Sequence, residues 1–426
     1  MRQLLKGVRL VDPSQGIDEP KDLLIEKGKV EAILPPGERV SDTKVIELSG
    51  LVITPGLVDI HTHLREPGYE YKETIATGAL ASVSGGFTSI ACMANTDPVN
   101  DNPAVTEYIL EKAKEADLAH IYPIGAISKG LKGEELSEMA FLAEHGCVGF
   151  SDDGRPVMDS GLMRRAMEYA LALDRVIISH PEDLNLSAGG VMNEGKVSTE
   201  LGLAGIPGES EEAMVAREII LANFTGAKVH LAHISTKGSV ELIRRAKEQG
   251  IKISCETCPH YFTLTELAVK ETGYHPNTKV NPPLRTQEDK EAIIDALIDG
   301  VIDVIASDHA PHNLAEKEVE FLNSAFGISG LETSLGLGLK LVKDKKIKLS
   351  RLIELMSTNP AKVLGIPGGS LKPGSPADIT VIDLEAKWMV SAKDFKSLGK
   401  NTPFEGMELI GRAVKVFIAG KLVKID

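Results

Sequence analysis

The stretch Val58-Asp59-Ile60-His61-Thr62-His63-Leu64-Arg65 is the point from which the chain is best read. An apolar run beginning at Leu57 leads into two histidines two residues apart. Side chains at i and i+2 of a β-strand share one face. His61 and His63 therefore aim two imidazoles at one point where the strand ends. Two converging neutral imidazoles form a zinc-type donor pair. An isolated His-x-His is equally a polar strand end, so the rest of the chain must discriminate.

Outward from that strand, apolar runs of strand length recur over residues 57 to about 311. Eight are read: 57–64, 87–94, 120–127, 146–150, 175–179, 228–234, 251–256 and 301–306. Amphipathic stretches between them are expected helices at 74–83, 105–116, 211–223, 239–248 and 287–298, the second opened by Asn102-Pro103 as cap and first-turn proline. Near-continuous apolar strands with helical crossovers make a parallel sheet covered on both faces. Eight such units predict an α/β fold, a (β/α)8 TIM-type barrel. The alternative is a doubly wound open sheet, but no Gly-x-Gly-x-x-Gly follows an early strand, and Gly336-Leu337-Gly338 lacks the third glycine.

Both ends of the chain have a different character. Residues 1–54 read as short strands with a hairpin around Lys27-Gly28-Lys29. After helical stretches at 331–342 and 349–356 and a Gly/Pro-rich link at 365–369, the chain returns to strands at 377–383 and 414–423. The expected organisation is a barrel over 55–365 inserted into a small β-sandwich built from 1–54 and 366–426. The single tryptophan, Trp388, is expected to pack inside that sandwich.

Composition narrows the function. A net charge of −14 argues against nucleic acid and against an anionic membrane surface. It also means that an anionic substrate needs local positive charge at its site. No apolar run has membrane-spanning length, the N-terminus lacks a signal-peptide core, and four cysteines make no disulfide framework. The expected compartment is the cytoplasm. Cys255 and Cys258 form a lone Cys-x-x-Cys after a strand-like run, and both are read as strand or loop residues.

Active sites of (β/α)8 barrels lie at the C-terminal strand ends. Strand one ends in His61 and His63, strand four in Ser151-Asp152-Asp153, strand five at His180, strand six at His233, and strand eight in Ser307-Asp308-His309. Four histidines and two aspartates thus fall at equivalent ends of five strands. That joint pattern predicts metal binding where no single residue does. Six such ligands exceed what one tetrahedral zinc needs, so two metals sharing a bridge fit better than one.

His61-x-His63, His180, His233 and Asp308, at these strand ends, resemble the amidohydrolase superfamily. Within it, residues 59–68 and Ala306-Ser307-Asp308-His309-Ala310-Pro311-His312, with Lys317 beyond, resemble the bacterial class I dihydroorotases. The resemblance implies one or two zinc ions per chain, bridged by Asp153 where many relatives use a carboxylated lysine, with Asp152 in reserve. It implies closure of N-carbamoyl-L-aspartate to L-dihydroorotate with loss of water, a step of pyrimidine synthesis, with Asp308 as general acid/base. Metals would lower the pKa of bound water and polarise the carbonyl. Arg65 would grip the substrate α-carboxylate, with Asn95 and His312 as partners. Asn281 would read the ring, and the backbone of Phe326-Gly327 would meet the substrate.

Three positions depart from the family's common wording: Pro181 after His180, Ala94 before Asn95 and Tyr261 after His260. None removes a ligand. Two rivals remain. Hydantoinases, dihydropyrimidinases and most allantoinases keep the bridging lysine, and their substrates lack the α-carboxylate that Arg65 and Asn95 would bind. A catalytically silent scaffold for aspartate carbamoyltransferase would be expected to have lost ligands, whereas all six stand here. The resemblance further implies dimers and, in some members, association with aspartate carbamoyltransferase.

Overall fold

The computed structural model describes residues 2–424. Eight parallel strands follow one another around a barrel: Leu57–Thr62, Phe87–Cys92, His120–Gly125, Gly149–Phe150, Val176–Ser179, Val229–Leu231, Ile253–Thr257 and Val304–Ile305. Each pairs with the next, and a bridge between Thr62 and His309 joins the last strand to the first. The His63 N–H donates to the His309 carbonyl across that seam at 2.8 Å. Each paired strand is shorter than its apolar run in the sequence. Burial outlasts pairing: Leu64, Ala94, Ile234 and Ala306 lie beyond the last ladder residues yet are buried.

Helices cover the outside. Thr74 accepts the Thr77 N–H and caps Ile75–Gly85, which therefore starts one residue later than the periodicity places it. Asn102 and Pro103 open Pro103–Ala116 as expected. Glu209–Thr225, Lys237–Glu248 and Gln287–Asp299 match the other three expected helices. One long helix was not expected. Ser160–Ala172 buries Leu162, Met163, Ala166, Met167 and Ala170, and Asp159 accepts the Leu162 N–H at its start. Its outer face carries Tyr169 and Leu171, both exposed, which blur the polar stripe that would have marked it.

The terminal segments meet as one continuous eight-stranded sheet. Arg2–Asp12, Ile17–Glu26, Lys29–Leu34, Thr43–Glu47 and Val52–Pro55 come from the N-terminal side. Ile379–Met389, Glu408–Ile418 and Lys421–Val423 come from the C-terminal side. Ile379–Met389 pairs with Val52–Pro55 and so joins the two. Register shifts in Arg2–Asp12 and Ile379–Met389 bend the sheet over a core of Leu5, Leu10, Leu23, Ile25, Ile53, Val381 and Phe417. Its two tight hairpins turn at Lys27-Gly28 and Ala419-Gly420, with positive φ at both residues of each. Trp388 is placed differently from expectation. It is half-buried and its Nε1 donates to the Gly411 carbonyl at 3.1 Å. A Cβ on Gly336 of the barrel helix Leu331–Lys343 would lie 3.1 Å from its ring, so Trp388 packs between the sheet and the barrel.

Asp59 locks the barrel seam from within. Its fully buried carboxylate accepts the His61 N–H at 3.1 Å and the Ser307 N–H at 3.1 and 3.2 Å. It thus ties strand one to the end of strand eight at the level where His61 and Asp308 leave the backbone. Asp59→Ala strands two buried N–H groups and should cost about 2–4 kcal/mol of stability in urea unfolding. A loss below about 1 kcal/mol would contradict this role for the seam.

Candidate active site

The C-terminal strand ends bring the expected residues to one centre. His61 and His63 leave strand one, Asp153 follows strand four, His180 strand five, His233 strand six and Asp308 strand eight. Arg65, His233 and Asp308 have left-handed backbones, with φ of 63°, 35° and 46°. Such conformations cost about 1–3 kcal/mol at residues with a Cβ and are kept where the surroundings enforce them. Asp153 is the hub. Its Oδ1 lies 3.3 Å from His61 Nε2, 3.3 Å from His180 Nδ1 and 3.7 Å from His233 Nε2, and its Oδ2 lies 3.5 Å from His63 Nε2. Asp308 Oδ1 is 3.2 Å from His63 Nε2 and 3.6 Å from His61 Nε2. Asp152 faces elsewhere: its carboxylate accepts the N–H groups of Ile127 and Ser128 and the Ser128 hydroxyl.

Three of the four imidazoles are fixed from behind. Glu256 Oε1 takes His61 Nδ1 at 2.5 Å, Asn95 Oδ1 takes His63 Nδ1 at 2.9 Å, and Glu182 Oε2 takes His180 Nε2 at 2.8 Å. Carboxylate and amide oxygens only accept, so each bond places the proton on the outer nitrogen. The inner nitrogens of His61 and His63 then face Asp153 and Asp308, while His180 Nδ1 meets His233 Nε2 at 2.8 Å as well as Asp153. Lone pairs facing carboxylates repel unless positive charge sits between them. His61 Nε2, fully buried and aimed inward, has no hydrogen-bond partner.

Five of the six expected donors form two overlapping groups, His61-His63-Asp308 and His61-Asp153-His233, and His180 falls in neither. In each they lie within 4.8 Å of one another. The set therefore fits a divalent metal held by imidazole nitrogens and carboxylate oxygens. The same field acts on protons. Burial alone would depress His61, but Asp153 and Glu256 outweigh it and hold it well above the ordinary imidazole range. Burial opposes a charged His180 too, yet Asp153 and Glu182 push it up to about 10. Asp153, despite its burial, is held well below the ordinary carboxylate range by His61, His180 and His233.

A cavity of about 250 Å³ opens beside this centre. His61 lies behind it, and every other residue expected at the site lines it: His63, Arg65, Asn95, Asp153, His180, His233, Asn281, Asp308, His312, Phe326 and Gly327. Arg65 donates from Nε to the Pro311 carbonyl at 3.3 Å, and its Nη2 lies 3.4 Å from His312 Nε2. No carboxylate among the described residues is within ion-pair distance of it. Burial pulls its guanidinium below the ordinary range, against the pull of Asp308 and Glu316. His312 Nε2 also meets the Phe326 carbonyl at 2.8 Å. Asn95 has a second bond, from Nδ2 to the Asp153 carbonyl at 3.4 Å. Asn281 donates to Glu182 at 2.9 Å, so it already steadies the partner of His180.

Sequence reasoning missed Glu256 and Glu182. Glu256 also meets His230 at 3.2 Å, so that histidine supports the centre at one remove. The available signal was Glu256 itself, a charged residue inside an apolar strand. Glu182 had no comparable signal, because it follows its strand in a loop. His260, at the end of strand seven, is buried with neither ring nitrogen partnered.

Known proteins resemble this chain over its whole length. The family model described as dihydro-orotase-like matches residues 50–239. A dihydroorotase of Syntrophus aciditrophicus (strain SB) is 56% identical over 99% of both chains, and one of Geobacter metallireducens is 55% identical over 99% of both. The chain belongs to the dihydroorotase family. Among solved structures, an L-hydantoinase (dihydropyrimidinase) from Arthrobacter aurescens is 29% identical. It superposes with a TM-score of 0.86 over 99% of this chain and 96% of its own. A dihydropyrimidinase from Brevibacillus agri, at 24% identity and a TM-score of 0.87 over 99% and 95%, shares the fold. The expected cyclic-amidohydrolase barrel is thus the fold of this dihydroorotase-family chain. Among its described residues no helix is long and apolar enough to cross a membrane.

If Glu256 fixes the His61 tautomer, Glu256→Gln should weaken divalent-metal affinity about 10–100-fold. Chelator competition followed by elemental analysis measures this. Unchanged affinity would contradict the assignment.

Proposed function

We propose that this chain interconverts N-carbamoyl-L-aspartate and L-dihydroorotate, with zinc as its metal, which His61, His63, Asp153, His180, His233 and Asp308 would hold. The observation that carries the reading is Arg65, a half-buried guanidinium without an acidic partner, lining the same cavity as the four-histidine, two-aspartate centre. A substrate with a carboxylate on one side and a cyclic amide on the other satisfies both. Substrates of hydantoinase type bring no carboxylate to Arg65 and leave the cation of the cavity wall without a counter-charge.

The residues divide the work. Arg65 binds the α-carboxylate with paired N–H donors, and His312 and the Phe326-Gly327 backbone shape the same wall. This local cation counters the repulsion between a chain of net charge −14 and a dianionic substrate. Asn95 and Asn281 border the cavity on the metal side. Bound metals supply Lewis acidity for the amide carbonyl and lower the pKa of water.

Asp308 is the general acid/base. Burial raises its carboxyl, but His63 and His61 outweigh burial and hold it below the ordinary range, so Oδ1 is ionised and ready to accept. In ring opening Asp308 takes the proton of the attacking water and delivers it to the leaving ring nitrogen. In closure the transfers reverse. Closure turns a carboxylate into an amide and consumes one proton, so mildly acidic conditions favour it.

Turnover of L-dihydroorotate, hydantoin and allantoin in zinc-supplemented buffer tests the reading. Hydrolysis of dihydroorotate alone, abolished by a chelator, is expected; turnover of hydantoin or allantoin instead would overturn it. Asp308→Ala should lower kcat about 10²–10⁴-fold with the fold intact by circular dichroism. A variant with most of its rate would refute the acid/base role. Arg65→Met should raise KM for dihydroorotate about 10–100-fold, and an unchanged KM would remove Arg65 from the carboxylate site.

A further inference from the structure

Between Ile379–Met389 and Glu408–Ile418 the chain leaves the terminal sheet and crosses to the barrel. Two barrel carboxylates receive this strap. Glu332 accepts the N–H groups of Lys396 and Ser397 at 2.7 and 3.3 Å. Glu73 accepts the Leu398 N–H at 3.1 Å and the Ser397 hydroxyl. Gly399 then lies flat on the segment after strand eight: a Cβ there would stand 2.5 Å from Pro311 Cβ and 2.8 Å from the His312 nitrogen.

Asn401 ends the strap, buried. Its Oδ1 accepts the His312 N–H at 2.9 Å and the Ser329 hydroxyl at 3.1 Å. Its Nδ2 donates to the carbonyls of Gly327 at 3.0 Å and Ala310 at 3.2 Å. One side chain thus sets the spacing between the 310–312 segment and the 327 backbone. Those two segments carry His312, the Pro311 carbonyl that receives Arg65 Nε, and the Phe326 carbonyl that meets His312.

We propose that Asn401 is a positioning residue for the carboxylate side of the cavity, delivered to the barrel by the C-terminal segment. The inference rests on the dihydroorotase reading. Asn401 touches neither the metal-facing nitrogens nor Asp308; its bonds go to the wall that orients Arg65 and His312. Its removal therefore loosens the grip on the substrate carboxylate and leaves the chemical centre as it was.

The test is steady-state hydrolysis of L-dihydroorotate by the wild type, Asn401→Ala and Ser329→Ala, with zinc content and Tm measured on each. Ser329→Ala removes only the hydroxyl that bonds Gly399 and Asn401, so it decides the matter if Asn401→Ala fails to fold. The expected result is a KM raised about tenfold in Asn401→Ala and about threefold in Ser329→Ala, with kcat within about threefold and zinc content unchanged. Unchanged KM in both variants of an active enzyme overturns this inference alone. So does a fall in kcat that tracks lost zinc while KM stays put. A wild type inactive on dihydroorotate overturns the functional reading, and this inference with it.

Discussion

The carboxylate of Asp153 stands within 3.3–3.7 Å of nitrogens from four imidazoles, and the mouth of the barrel is organised around that contact. Five barrel strands must end at one level for it to exist. Asp59 at the seam sets that level for strands one and eight, and the left-handed backbones of His233 and Asp308 turn their side chains inward. The barrel therefore serves the centre by geometry: parallel strands, all with the same polarity, present their last residues to a common point.

A second ring of groups decides what the first ring can do. Glu256, Asn95 and Glu182 each take the outer proton of one imidazole and so fix which ring nitrogen faces the centre. Two of these partners are shared with a further side chain. Glu256 also engages His230, and Glu182 also engages Asn281. Electrostatic balance follows from the same arrangement. Anionic groups dominate the metal side, whereas Arg65 faces the cavity from the other side without an ion-pair partner. A metal satisfies the first and a substrate carboxylate the second, and neither alone would neutralise the site.

The features written in local periodicity were legible from the sequence. Eight apolar runs with ligating residues at their ends point to the barrel and to His61, His63, His180, His233 and Asp308, because strand polarity converts position in sequence into position in space. The choice between Asp152 and Asp153 needed coordinates: neighbours on a strand point to opposite faces, but the register at the strand end fixes which faces inward. Glu182 and Asn401 act through loop and strap geometry that no periodicity records. Asn401 in particular lies almost 90 residues beyond His312 and meets it only because the terminal sheet sends a segment back to the barrel. Helix Ser160–Ala172 escaped for another reason, since exposed Tyr169 and Leu171 weaken its amphipathic contrast.

Metal binding and turnover are both proposed to sit in the strand-end cluster. The most direct test is a zinc titration of the metal-stripped protein, following bound metal and dihydroorotate hydrolysis in the same samples. Activity that is absent at the start, rises with bound zinc and saturates at two ions per chain is the predicted result. Full activity in the stripped protein, or a fully loaded protein that leaves dihydroorotate intact, would contradict it.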